Sequence, residues 1–199
     1  MNGEIHALFP LPVYKEKIRL LDNNESNFIE STDVCYQTLG NAVSLNTRLL
    51  DAPTLIELRA VIEKKLDYYL KSILKVDNEI YITNSWLNKT NYKEQHFLHN
   101  HSNSILSGVY YINTEDSLPL ITFNRMQTPF LLNFIPKEFT IFNSTEWSIP
   151  VENGCLIIFP SSLYHYVKIN ETTNTRTSIA FNSFVKGSIG FQNGSEITL

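Results

Sequence analysis

The chain has little cysteine, no concentrated positive charge, no long apolar run and few histidines, and the first three scarcities each remove a class of protein. Two cysteines among 199 residues, Cys35 and Cys155, cannot build the disulfide framework of a small secreted domain, and a reducing cytosol suits them. The 16 Lys+Arg stand against 20 Asp+Glu for a formal net charge of -4, and no basic run exceeds the "EKK" at 63–65. Binding to a nucleic-acid backbone is therefore not expected, although a single modified base or nucleotide could still be a substrate. No stretch approaches the ~18 apolar residues of a membrane span. The opening "MNGEIHALFPLPVYKEKI" lacks the basic and apolar regions of a signal peptide, so a soluble, cytoplasmic protein with no membrane partner is expected. No internal repeat, Gly/Ser linker or low-complexity tail divides the chain. With 43% apolar residues it reads as one domain over 1–199 with a substantial core.

The segments that are present change character near residue 78. "LFPLPVY" at 8–14 has two prolines two apart, which forbid helix and favour an extended or edge segment. Residues 20–48 are polar and Asn-rich without a sustained period, so loops and short elements are expected there. From 52 to 75 the spacing of Leu55, Leu58, Ile62, Leu66, Tyr69, Leu70 and Ile73 predicts one long amphipathic helix, with Asp51 as N-cap and Pro53 in the first turn. Everything after it consists of β-branched or aromatic runs separated by turn residues, at 79–90, 104–113, 118–124, 138–143, 154–160, 164–169 and 176–185. This pattern predicts a mainly β jelly roll over 79–190, braced by an N-terminal arm and helix over 1–78. Gly154 is read as a turn residue, and Cys155 as an inert small hydrophobe in a buried strand.

The five histidines are not spread evenly. Three of them fall in "HFLHNH" at 96–101. On an extended segment, side chains at i and i+2 share a face, so His99 and His101 can aim two imidazoles at one point. His96 has the opposite parity to that pair and is not expected to join it. A metal site built on a sheet needs a third ligand from a distant strand, and His165 in "SLYHYV" is the candidate. Arg176 opens the following strand in "RTS", where a guanidinium can hold a carboxylate through a bidentate pair.

In order and spacing, "NSW" at 84–86, "HNHSNSILSGVYYI" at 99–112, "LITF" at 120–123, "PVENGCLIIFPSSLYHYV" at 150–167 and "RTSIAFN" at 176–182 resemble the double-stranded β-helix oxygenases dependent on 2-oxoglutarate and Fe(II). The likeness is greatest to small members common in tailed phages and some bacteria, whose opening "LFPLPVY" also resembles. The resemblance implies that His99, His101 and His165 bind Fe(II). It also implies that Arg176 and Ser178 hold the far carboxylate of 2-oxoglutarate, and that Tyr110 and Asn182 line the cosubstrate pocket. The reaction it implies consumes 2-oxoglutarate and dioxygen, releases succinate and CO2 and hydroxylates a substrate that the sequence does not specify, with ascorbate as a supporting reductant. His101 departs from the Asp or Glu that most of the superfamily carries two residues after the first histidine. Glu115 and Asp116, in the turn after the strand, read as solvated loop residues. Trp86 is read mainly as packing beneath the site. Two other readings stand beside this one: a cupin-like three-histidine dioxygenase acting directly on a small substrate, and a non-enzymatic β-sandwich that binds or supports other molecules.

Overall fold

The computed structural model describes residues 3–36, 40–115, 118–127, 132, 134–190 and 194–199. Three layers stack on one another. A seven-stranded antiparallel sheet runs in the order β1 (Tyr14–Lys17), β9 (Cys155–Pro160), β6 (Leu106–Asn113), β11 (Arg176–Lys186), β4 (Glu79–Thr90), β3 (Ala42–Ser44) and β2 (Val34–Tyr36). A four-stranded sheet, β5 (His96–His99), β10 (Tyr164–Val167), β7 (Ile121–Asn124) and β8 (Glu146–Ile149), packs on one of its faces. The helices α1 (Asn23–Glu30) and α2 (Ile56–Tyr68) cover the other face. A ribbon of β12 (Ser188–Ile189) and β13 (Ile197–Thr198) closes the chain. This is the expected jelly roll with a supporting helix.

Strand alternation divides the core in two. Leu106, Tyr110, Ile179 and Phe181 face the helices, where they meet Leu55, Leu58, Ile62, Leu66 and Tyr69, all fully buried. Burying each such side chain is worth about 1.5–3 kcal/mol. Val109, Tyr111 and Ala180, one residue out of phase, face the four-stranded sheet and pack with Ile121, Phe123, Ile157 and Phe159. Cys155 lies in this second cluster, fully buried and unpaired.

Several local expectations are corrected. The 52–75 helix is instead two short 3-10 turns, Leu49–Asp51 and Pro53–Leu55, followed by α2 and a π turn over Tyr69–Ile73. Its apolar stripe holds until Ile73, which is exposed. Asp51 caps nothing; it sits inside the first 3-10 turn and pairs with Arg59 and Arg48. Residues 138–143 are turn, not strand, because Thr140 and Asn143 bond to each other across it; the strand paired with β7 is β8, a few residues later. Within 20–48 the sequence "DNNE" forms a capping box: Asp22 accepts from the Glu25 N–H and Glu25 from the Asp22 N–H, which fixes the start of α1.

Candidate active site

The space between the two sheets is furnished by alternate residues of facing strands. On β11 Arg176, Ser178 and Ala180 point inward, and their register partners on β4 are Thr90, Asn88 and Trp86. The four-stranded sheet contributes His99 from the end of β5 and His165 from β10, paired directly across the ladder. His101 lies just beyond β5. Its N–H donates to the Ser161 carbonyl at 3.0 Å, and Ser161 Oγ stands 2.7 Å from both Ser104 Oγ and Ser107 Oγ. This buried hydroxyl chain anchors the loop carrying His101. The side chains line one cavity between the sheets that is open to solvent at its mouth.

The three expected imidazoles converge, each offering a ring nitrogen, and these nitrogens all lie within 4.8 Å of one another. His99 Nδ1 donates to the Phe97 carbonyl at 2.7 Å and His165 Nδ1 to the Leu163 carbonyl at 3.0 Å. A carbonyl can only accept, so both rings carry their proton on Nδ1 and present a bare Nε2 lone pair inward, the tautomer that a metal ligand needs. His101 Nε2 and His165 Nε2 stand 3.3 Å apart. Two nitrogens at ~2.0–2.1 Å from one first-row ion, in tetrahedral arrangement, are separated by about that distance. Desolvation is the main reason that His99 is held below the ordinary imidazole range, His101 down to about 4 and His165 well below 6.5, with neighbouring histidines adding to the effect at His101 and His165. All three are neutral near pH 7 and ready to bind a divalent metal. The donor set fits Fe(II), and equally other borderline metals for which imidazole is suited.

Arg176 occupies the opposite wall and is almost fully buried. Its Nη1 donates to Ser178 Oγ at 3.3 Å and its guanidinium lies 5.2 Å from the centre of the Tyr111 ring. Nε has no partner, and among the described residues no carboxylate pairs with it. Burial pulls its pKa down from the usual guanidinium range. A buried cation without a counter-ion is costly, and an anionic ligand in the cavity removes that cost.

Three expectations for this region are corrected. Tyr110 faces the helix layer, not the cavity, and its hydroxyl donates to the Arg19 carbonyl at 2.8 Å. Its neighbour Tyr111 is the residue beside Arg176, because one step along a strand reverses the face. Asn182 is engaged in the hydroxyl chain, its Oδ1 accepting from Ser107 Oγ at 2.8 Å, and does not line the cavity. His96, read as facing away, points in. On β10 the step from His165 to Val167 is matched on β5 by the longer step from His99 to His96. This bulge inserts one extra residue and restores His96 to the face of His99, leaving Phe97 and Leu98 outside. Nothing in the sequence marks it. The Glu115 carboxylate accepts from Asn174 Nδ2 on the surface, and Asp116 lies outside the described residues. Trp86 lines the cavity with its ring 5.8 Å from that of His101.

A family model described as "Putative 2OG-Fe(II) oxygenase" matches residues 84–182, about half of the chain and the part that holds every residue of this site. No curated protein matches the sequence. Among solved structures, the chain resembles the non-heme alpha ketoglutarate dependent carbocyclase SnoK from nogalamycin biosynthesis, with a TM-score of 0.60 and 11% identity over 92% of this chain and 85% of that one. It also resembles HygX from Streptomyces hygroscopicus, crystallised with nickel, 2-oxoglutarate and hygromycin B, with a TM-score of 0.55 and 11% identity over 87% and 82% of the two chains. A prolyl-4-hydroxylase from Pseudomonas putida is similar with a TM-score of 0.52 and 12% identity over 86% and 92%. At such identities the structural likeness speaks for the fold.

Proposed function

Because the chain belongs to the superfamily of 2-oxoglutarate- and Fe(II)-dependent oxygenases, we propose that His99, His101 and His165 hold its Fe(II) and that Arg176, with Ser178, binds the far carboxylate of 2-oxoglutarate. The net reaction is hydroxylation of a substrate C–H bond as 2-oxoglutarate and dioxygen become succinate and CO2. The observation that carries the residue assignment is the buried, unpartnered Arg176 facing the same cavity as three convergent neutral imidazoles. Iron held there would supply the dioxygen and redox chemistry that couples decarboxylation to substrate oxidation. The protein's own part is positioning. The Phe97 and Leu163 carbonyls orient two ligands through Nδ1–H, the serine chain orients the third, and Arg176 sets the direction of the dicarboxylate. Val109, Ile121 and Ala180 form an apolar surround that limits water.

We place the whole chain in this one functional unit, since the residues 1–78 include the helices that close the outer face of the sheet bearing Arg176. The net charge of -4 favours a substrate other than a nucleic-acid backbone. Among the described residues no helix is long and apolar enough to cross a membrane. The free thiols Cys35 and Cys155 are in keeping with a cytoplasmic enzyme. The test of the assignment is calorimetric titration of 2-oxoglutarate into the Mn(II)-loaded protein and its Arg176→Lys variant. Lysine keeps the charge and loses the planar fork, so affinity should drop by about tenfold or more while Mn(II) binding stays unchanged. Equal 2-oxoglutarate affinity in the two proteins would remove Arg176 from the cosubstrate site.

A further inference from the structure

His96 is the one histidine of the "HFLHNH" run outside the metal-ligating trio, and the structure gives it no partner. Its ring is stacked on that of His99, with centroids 4.5 Å apart and planes 15° from parallel. Only 9% of the residue is exposed, yet Nε2 is without a hydrogen bond. A buried nitrogen of this kind is uncommon and asks for a bonding group that the protein itself does not provide. It does not stand alone. Of the six buried polar atoms left unbonded among the described residues, four belong to His96, Arg176, Tyr111 and Thr90. Arg176 and Thr90 are register partners, Tyr111 lies against the Arg176 guanidinium, and His96 and Arg176 line the same cavity. His96 and Arg176 thus bring an imidazole nitrogen and a guanidinium nitrogen, both buried and unbonded, to one cavity, where a ligand with oxygen acceptors would satisfy both.

We propose that His96 is a cosubstrate-binding residue, whose Nε2–H donates to a carboxylate oxygen of 2-oxoglutarate between the metal-ligating histidines and Arg176. The inference rests on the functional reading above and extends it to a residue that no sequence spacing points to. A neutral imidazole suits this position. Beside Arg176 a second cation would be repelled, whereas a neutral donor adds a directed bond without adding charge. The ring stack against His99 holds the donor in place, and the β5 bulge is what turns it inward.

The experiment compares the full-length protein with His96→Phe and His96→Gln. Phenylalanine keeps a flat ring to stack on His99 and removes the donor; glutamine removes the ring and keeps a donor. Mn(II) affinity and then 2-oxoglutarate affinity of the Mn(II)-loaded proteins are measured by calorimetry, with thermal unfolding as the check on folding. The expected result is that His96→Phe binds 2-oxoglutarate about tenfold more weakly, the loss typical of one hydrogen bond to a charged group. His96→Gln should recover most of that affinity, and Mn(II) affinity should hold in both. Unchanged 2-oxoglutarate affinity in His96→Phe would overturn the proposal. So would a loss of Mn(II) affinity in His96→Gln without recovery of 2-oxoglutarate binding, since the stack on His99 would then be the whole role. If the unaltered protein binds Mn(II) but no 2-oxoglutarate, the functional reading itself fails, and the role of His96 falls with it.

Discussion

Strands β6 and β11 present one face to the helices and the other to the four-stranded sheet, and the two faces are built on different terms. Toward the helices they carry Leu106, Tyr110, Ile179 and Phe181. The Tyr110 hydroxyl is bonded, and Gly108 allows an approach so close that a Cβ there would come within 2.2 Å of the Phe181 ring. Toward the other sheet they carry Tyr111, Arg176 and Ser178, and there lies an unbonded guanidinium nitrogen. One face has its tyrosine hydroxyl bonded, and the other leaves a buried guanidinium nitrogen without a partner among the described residues. Stability and function are thus separated by a single residue step along the same strand. Substitutions on the two faces should therefore give separable effects.

The largest expected effect falls on the cavity face. In His165→Ala two imidazoles remain, too few to hold a labile Fe(II), so 2-oxoglutarate-dependent succinate formation should fall to background while the metal-free protein keeps a cooperative unfolding transition. Parallel loss of folding would mean that the histidines also support the core. The counterpart on the helix face is Leu66→Ala, which should cost about 2–5 kcal/mol, because Leu66 on the inner face of α2 is fully buried. Urea unfolding measures that loss. At temperatures where the variant is still folded, its 2-oxoglutarate affinity should equal that of the parent; a large drop would show that the faces are coupled.

The helix face was also the more legible in sequence. Leu55, Leu58, Ile62 and Leu66 announce themselves by spacing, since apolar burial on a helix has a fixed period, and β4 runs over the very residues that alternation marked, 79–90. His99 and His101 were paired by their i, i+2 spacing, with His165 and Arg176 on later strands, and the structure brings all four to one cavity, whereas Ser178 rested on the family resemblance. What periodicity cannot carry is an interruption of itself. The bulge that turns His96 inward is set by how β10 pairs with β5, and Tyr110 rested on the family resemblance alone, since β6 is buried on both faces and its phase is not written in its sequence. The exposed aromatics Phe139 and Phe142 made a turn look like a strand. The capping box at Asp22 was readable from "DNNE", and α1 could have been placed from it.

Acid should act on the cavity face alone over a defined window. Burial holds His96 down to about 3 and His101 down to about 4 in the folded protein, against an ordinary value of 6.5. Between those limits the unfolded chain binds more protons than the folded one, so stability rises with pH. It is fully present above about 6.5 and is lost as pH falls toward the folded values. The carboxylates held low by ion pairs, Glu16 beside Lys65 and Glu152 beside Lys17, add their share only below the ordinary carboxylate value of 4.5. Urea midpoints of the metal-free protein between pH 7.5 and 5 therefore report on the histidines. His96→Phe should flatten the slope; a parent midpoint independent of pH there would mean that the imidazoles are hydrated.

The smallest effect tests the separation most sharply, because it begins on the helix side and has a route across. Asp22 caps α1, its side chain accepting the Glu25 N–H at 2.8 Å. Glu25 returns a bond to the Asp22 N–H at 2.9 Å and is ion-paired with Arg19. The Arg19 carbonyl in turn accepts the Tyr110 hydroxyl, and Tyr110 immediately precedes Tyr111, which contacts Arg176. Asp22→Ala removes one cap bond and should cost about 1 kcal/mol, while Asp22→Asn, itself a good cap, should cost less. For a chain of this length the alanine variant should melt roughly 2–4 °C lower. If the layers are independent, 2-oxoglutarate affinity is the same in all three proteins. A shift in affinity with Asp22→Ala, reversed in Asp22→Asn, would trace a coupling through Arg19 and Tyr110 into β6, and would make the helix layer part of the device that aims Arg176.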